Sequence, residues 1–292
     1  MNKKIFFIII ASCLGNTLQS THAQIMATER IRLTSTCPWG QELAVVTGNS
    51  VPALLGAAVQ QITLLAYSQG RLSPVSFQID QKDAQGRYLT EASPPGGPQS
   101  DSAVLDENDE LVFRFIDSGD KLPLTSRFMS LYSLVEIQIS EPKAGISGWI
   151  YASTSSRSKL PAVNKFVHYL ADTDSVQSGL YQVSFSERLP FLLDAFHWKL
   201  VGNHTWSPDI SDTMKIRHRG PFLGFIPFQR TQHDYSSRLE AIKEGSLRII
   251  RRTSNRIRML WKLETPTLYV DYVMMPDGFI MNTIIDIPFN IG

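Results

Sequence analysis

Arg256-Ile257-Arg258-Met259-Leu260-Trp261-Lys262-Leu263 reads as a half-buried β-strand, and that reading decides the fold. Ile257, Met259, Trp261 and Leu263 alternate with Arg256, Arg258, Leu260 and Lys262. Successive side chains of a strand point to opposite sides, so a period of two gives one apolar face and one wet face. After Glu264-Thr265-Pro266-Thr267, which reads as a turn, Leu268, Val270 and Tyr272 resume the pattern. Further back, Tyr181, Val183 and Phe185 alternate with Gln182, Ser184 and Ser186, and Val135, Ile137 and Ile139 with Glu136, Gln138 and Ser140. Leu111, Phe113 and Phe115 form one face of another strand, and Val75, Phe77 and Ile79 alternate with Ser76, Gln78 and Asp80. Antiparallel sheets with one face on a core account for this alternation.

The segments between these runs carry turn chemistry. Gln85-Gly86, Ser118-Gly119, Gly202-Asn203 and Asp277-Gly278 are turn formers. Ser93-Pro94-Pro95-Gly96-Gly97-Pro98 suits only a surface loop. Helical signals are scarce: Ser50 to Gln61 reads as helix or strand, and Ser237 to Glu244 has weak helical character. The prediction is an all-β protein, an antiparallel β-sandwich with little helix, built as one large sandwich or two packed ones. The halves divide into residues 24–153 and 154–292, where Ser/Thr density rises between Ser153 and Leu160. The run from Ile284 to Phe289 predicts a final strand.

The N-terminus has the pattern of an export signal. Met1-Asn2-Lys3-Lys4 is basic, and Ile5 to Leu14 is apolar but too short to span a ~30 Å hydrocarbon core. Thr21-His22-Ala23 places small residues at a peptidase site, so cleavage is expected after Ala23. A competing reading takes Ile10-Ala11-Ser12-Cys13 as a lipobox, with Cys13 carrying a lipid anchor. No later run approaches the ~18 apolar residues of a membrane helix, so the mature chain is expected in the periplasm or secreted. Cleavage leaves Cys37 without a partner for an internal disulfide, and stability must come from the hydrophobic core.

The net charge of +1 hides an asymmetry. From Lys215 to Lys262, nine arginines and three lysines face only Asp234, Glu240 and Glu244, a local net of +9. The rest of the mature chain is acidic, so this segment is where an anionic ligand would be felt.

Phe77-Gln78-Ile79-Asp80 with Gly86-Arg87-Tyr88, and Leu105-Asp106-Glu107-Asn108-Asp109-Glu110-Leu111-Val112-Phe113, resemble an uncharacterised family of exported bacterial β-sandwich proteins. That family has an Asp-Gly turn and a "DEL-V-F" strand, and is loosely similar to mutarotase-like sandwich proteins. Gly148-Trp149-Ile150-Tyr151 and Leu247-Arg248-Ile249-Ile250-Arg251-Arg252 also resemble parts of it. The first acidic turn departs from the family pattern, reading Asp-Ala-Gln-Gly in place of Asp-Gly-Asp-Gly. The resemblance implies an exported sandwich and brings no catalytic residues to this chain.

Three groups of residues are candidates for chemistry. Asp80, Asp83, Asp106 and Asp109 lie in acidic turns of the kind that hold Ca²⁺, without EF-hand spacing; solvated turns are the alternative. Among the histidines, Asp194 with His197 and His233 with Asp234 are close in sequence, but no His-x-x-x-His or Cys-x-x-Cys zinc signature occurs. The arginine-rich segment offers Arg217 and Arg219, with Lys215 and His218 around them, then Arg248, Arg251 and Arg252, then Arg256 and Arg258. Guanidinium forks suit carboxylate, sulfate and phosphate oxygens. Nucleophile elbows, Walker motifs and dinucleotide-binding glycine patterns are absent from the sequence. The expectation is a non-catalytic sandwich that binds an envelope component, an anionic glycan or a protein, with nucleic acid an unsuited partner in that compartment. The alternative is a carbohydrate-active enzyme of lyase or epimerase type, using a histidine and a carboxylate.

Overall fold

A computed structural model describes residues 28–32, 43–90, 104–123, 134–141, 145–154, 164–200, 205–222, 226–260 and 263–285. The predicted cleavage site, Cys13, Cys37, His204, Trp261, Lys262, the Pro/Gly-rich loop and the end of the last predicted strand lie outside them. The protein is all-β, with antiparallel sheets and, among the described residues, only single-turn 3-10 helices. It divides into two compact units, one drawn from Ser12–Lys165 with Gly245–Leu247, the other from Phe166–Glu244 and Arg248–Gly292. The division thus falls later than the Ser153/Thr154 boundary read from Ser/Thr density.

The N-terminal unit holds β1 (Thr28–Arg32), β2 (Leu43–Thr47), β3 (Thr63–Ser68), β4 (Arg71–Pro74), β5 (Phe77–Asp80), β6 (Glu110–Arg114), β7 (Leu134–Glu141) and β8 (Ile146–Ser153). One sheet runs β1-β7-β8-β3-β4 and the other β2-β6-β5. The pair β1–β7 is parallel, a departure from the all-antiparallel expectation. Val135, Ile137 and Ile139 are buried as their alternation predicts, and they pack with Val46, Leu64, Leu111, Phe113 and Ile150. The Ser50–Gln61 run, left between helix and strand, forms the short 3-10 turns Pro52–Leu54 and Val59–Gln61.

β5 behaves differently from its pattern. Gln78 and Asp80 are buried, while Phe77 and Ile79 are half-buried against the core. Gln78 donates to both oxygens of Asp80 at 2.9 Å and accepts from the Leu247 amide at 3.0 Å. A Cβ on Gly245 would overlap that amide side chain. The polar face of β5 is therefore covered by a segment far away in sequence.

The C-terminal unit holds β9 (Val167–Leu170), β10 (Ser175–Ser178), β11 (Tyr181–Phe185), β12 (Leu193–Trp198), β13 (Arg217–Phe222), β14 (Ile226–Thr231), β15 (Tyr235–Glu244), β16 (Ile249–Leu260), β17 (Leu263–Glu264), β18 (Leu268–Met275) and β19 (Gly278–Ile285). A sheet β12-β11-β10-β9 faces a sheet β15-β16-β18-β19, with β17 on β16 and β13–β14 as a separate hairpin. Val176, Tyr181, Val183 and Phe185 meet Ile249, Val270, Tyr272, Met274 and Phe279 in the core. The Ser237–Glu244 segment is strand β15 rather than helix, because seven of its backbone positions find partners along β16.

The hairpin register also corrects the sequence reading. Leu260 pairs with Leu263 and Asn255 with Leu268, so the chain has reversed before Glu264 rather than at Glu264–Thr267.

One charged side chain belongs to this core. Arg251 is 0% exposed. Its Nε donates to Asp174 Oδ1 at 2.9 Å, Nη2 donates to Asp174 Oδ2, and Nη1 donates to the Pro190 carbonyl at 2.6 Å. The guanidinium carbon sits 3.7 Å from the centre of the Phe185 ring. Asp174 adopts left-handed backbone geometry, φ 40°, and also accepts from the Tyr169 hydroxyl.

The β18–β19 hairpin closes through Pro276 and Asp277, and Tyr181 donates to the carbonyls of Met275 and Gly278 at 2.8 and 2.9 Å. Burial pushes the Asp277 carboxyl above its ordinary 3.8, and a backbone hydrogen bond only partly opposes this. Between the ordinary and the raised value the unfolded chain releases its proton first, so stability falls as pH rises through that window. Asp277→Asn removes the titration. Melting temperatures of variant and parent should coincide below about pH 4, with the variant gaining as pH climbs to neutrality. A gap that does not change with pH would refute the assignment.

Candidate functional site

Residues paired across adjacent strands share a face, so the register of β15, β16 and β18 defines the outer surface of the C-terminal sheet. Ser236 opposes Arg256, Arg238 opposes Ser254, and Ser254 opposes Tyr269. A bulge between Leu239 and Ala241 interrupts the β15–β16 ladder at Glu240. Arg251 and Arg252 lie on the same strand as Arg256 and Arg258, β16, and Arg248 immediately precedes it.

That face has a buried end and an open end. Ile250, Arg252, Asp271 and Val273 are buried, while Arg256 and Arg258 have side chains 57% and 58% exposed. At the buried end Arg252 grips Asp271 through Nε and Nη2, both at 2.7 Å. Toward the open end lies a polar groove of about 400 Å³, lined by Ser236, Ser237, Arg238, Glu240, Ser254, Arg256, Thr267 and Tyr269. That volume lies within the range of small-ligand sites. Among these residues are five hydroxyls, two guanidinium groups and one carboxylate.

Comparison with protein-family models, with curated proteins and with solved structures finds no match. The site has to be read from its own groups. Arg238, 77% exposed, donates to Glu240 Oε1 from Nη2 at 2.8 Å and from Nε at 3.1 Å, and to Oε2 at 3.0 Å. Ser254 donates to the same carboxylate. Partial burial raises the Glu240 carboxyl, but the Ser254 and Arg238 hydrogen bonds and the Arg238 charge outweigh it, holding the group below its ordinary range. Arg256 donates to Thr267 at 3.3 Å and lies 3.8 Å from Glu264. Guanidinium forks, hydroxyls and a carboxylate on one open surface can bind a polyhydroxylated ligand by hydrogen bonds in both directions.

The arginines predicted from the sequence fall into three groups. Arg217 and Arg219 are exposed on β13, with half-buried His218 between them bonded to the Tyr235 hydroxyl. Arg248, Arg251 and Arg252 are buried and take no part in an exposed basic surface. Arg256 lines the groove, and Arg258 donates to Asp234 at 2.9 Å. Arg238, Glu240 and Tyr269 were missed. The helical reading of Ser237–Glu244 hid the first two, and a strand reading would have placed Arg238 and Glu240 side by side at i and i+2.

The acidic residues are not solvated as a group. Asp80, Asp83 and Asp109 are buried. Asp109 accepts from the Lys82 and Asp106 amides at 2.9 and 3.0 Å. Asp83 accepts from the Gln85 and Arg87 amides and from Arg87 Nε. Asp106 is exposed and accepts from the Asn108 and Asp109 amides. Among the described residues, no group of three or more His, Cys, Asp or Glu is placed to hold a metal ion. The two histidine–carboxylate neighbours each bond elsewhere. Asp194 accepts from Thr213, His197 bonds the Ser207 carbonyl, and Asp234 accepts from Thr231 and Arg258.

Proposed function

We propose that this chain is an exported β-sandwich protein that binds an anionic envelope glycan in the groove between β15, β16 and β18. The groove lining carries the reading: hydroxyls of Ser236, Ser254, Thr267 and Tyr269 beside the forks of Arg238 and Arg256. Sugars present hydroxyls that both donate and accept, and acidic sugars add a carboxylate or sulfate that a fork can take at two points. The exposed forks of Arg238 and Arg256 support an anionic rather than a neutral ligand. Export is supported by the basic and apolar N-terminal run before Ala23. Among the described residues, no helix is long and apolar enough to cross a membrane.

Retention of the parent and of Arg238→Gln/Arg256→Gln on acidic and neutral polysaccharides, over a salt series, tests the reading. The parent should be retained on the acidic polymers, less so as salt rises. The double variant should bind roughly ten- to a hundredfold more weakly, the loss of about 1.5–3 kcal/mol expected for charged hydrogen bonds. Its melting temperature should match the parent's, because exposed ion pairs contribute little. Equal retention of both proteins would sink the groove as the site. New reducing ends or unsaturated sugars in the bound polymer would establish a carbohydrate-active enzyme instead.

A further inference from the structure

We propose that Glu240 determines the specificity of the groove by standing in for a ligand carboxylate, so that an acidic sugar binds by taking Arg238 away from Glu240. This inference rests on the groove being the ligand site. In the structure the Arg238 fork is already engaged, with Nε and Nη2 facing one carboxylate in the arrangement that a uronic acid would supply. Both groove arginines lie beside an acid of the same chain, Arg238 beside Glu240 and Arg256 beside Glu264. The groove therefore carries little net charge of its own despite the basic segment around it.

The two members of the Arg238–Glu240 pair are held very differently. Glu240 sits at the bulge with its side chain only 18% exposed, and Ser254 also donates to it, so its carboxylate keeps a partner when Arg238 leaves. Arg238 is the long and exposed member. Exposed pairs of this kind contribute little net stability, so exchanging one carboxylate for another is close to balanced and the ligand's other contacts decide it. A neutral sugar offers Arg238 no replacement charge and leaves the pair intact. Glu240 would thus reject neutral glycans and weak anions, and admit ligands whose carboxylate is accompanied by hydroxyls reaching Ser236, Thr267 or Tyr269.

Calorimetric titration of the full-length protein with polygalacturonate and with neutral dextran tests this. Glu240→Gln keeps the side-chain shape and removes the competing charge. It should bind polygalacturonate about tenfold more tightly than the parent, and the gain should vanish when Arg238→Gln is also present. Weaker binding by Glu240→Gln would mean that Glu240 contacts the ligand directly, and would overturn the exchange. A gain that persists in the Arg238→Gln background would reduce Glu240 to a general electrostatic effect, and would overturn it as well. If Arg238→Gln and Arg256→Gln weaken binding while Glu240→Gln does not strengthen it, the groove stands and the exchange falls. If no variant and no parent binds either polymer, the glycan reading fails and takes the exchange with it.

Discussion

Asp174→Ala is expected to lower the stability of the protein by about 3–5 kcal/mol, the cost of leaving a buried charge without its partner. Arg251 is 0% exposed and cannot turn to water, and without Asp174 it keeps the Pro190 carbonyl and the Phe185 ring. A melting temperature lower by about 10 °C should result. The left-handed φ of 40° at Asp174 adds a backbone penalty for alanine, so Asp174→Asn is the cleaner probe of charge alone. The partner change discriminates further. Arg251→Met on top of Asp174→Ala should recover much of the loss, because replacing a buried ion pair as a whole with apolar groups is often near neutral. A double variant no more stable than Asp174→Ala would show that Arg251 is held by its other contacts and not by the pair.

The second large effect is expected at Gly48. Its amide donates to the Asp109 carbonyl at 2.8 Å, and a Cβ there would overlap the backbone carbonyl of Asp106. Backbone cannot swing aside as a long side chain can, so Gly48→Ala must displace the Asp106–Asp109 turn. That turn is fixed from inside by Asp109, whose carboxylate holds the Lys82 and Asp106 amides. Overpacking costs about 1–3 kcal/mol and more where the surroundings cannot relax, and the upper end is expected here. Denaturant unfolding of Gly48→Ala measures it. A change under about 0.5 kcal/mol, the range of ordinary surface substitutions, would show that the turn yields freely.

How much of this was legible depends on whether a strand's second face meets water. Tyr181, Val183 and Phe185 alternate in sequence and in burial, because the other face of β11 is only half-buried. Glu110 through Phe113 are all buried, so the polar positions of β6 mark no solvent face. Glu110 stays inside because Lys82 pairs with it and Tyr88 donates to it. Arg251 and Arg252 read as surface cations for the same reason: their partners lie elsewhere in the chain. The Arg252–Asp271 pair was recoverable from the sequence, since both residues fall opposite one another once the hairpin is centred before Glu264. Asp174 lies 77 residues from Arg251, and no local pattern links them. The groove needed the β15 bulge, which no turn residue announces.

The segment Gly245–Leu247 has a consequence for how the protein matures. It belongs to the N-terminal unit, although it lies some eighty residues beyond Lys165. A chain synthesised from its N-terminus therefore makes most of that unit and then waits for its last three residues. Throughout that wait the Gln78 amide oxygen lacks the Leu247 donor that it accepts from in the finished molecule. The first half of the chain is thus a late-closing assembly, whose final part is delivered by the second.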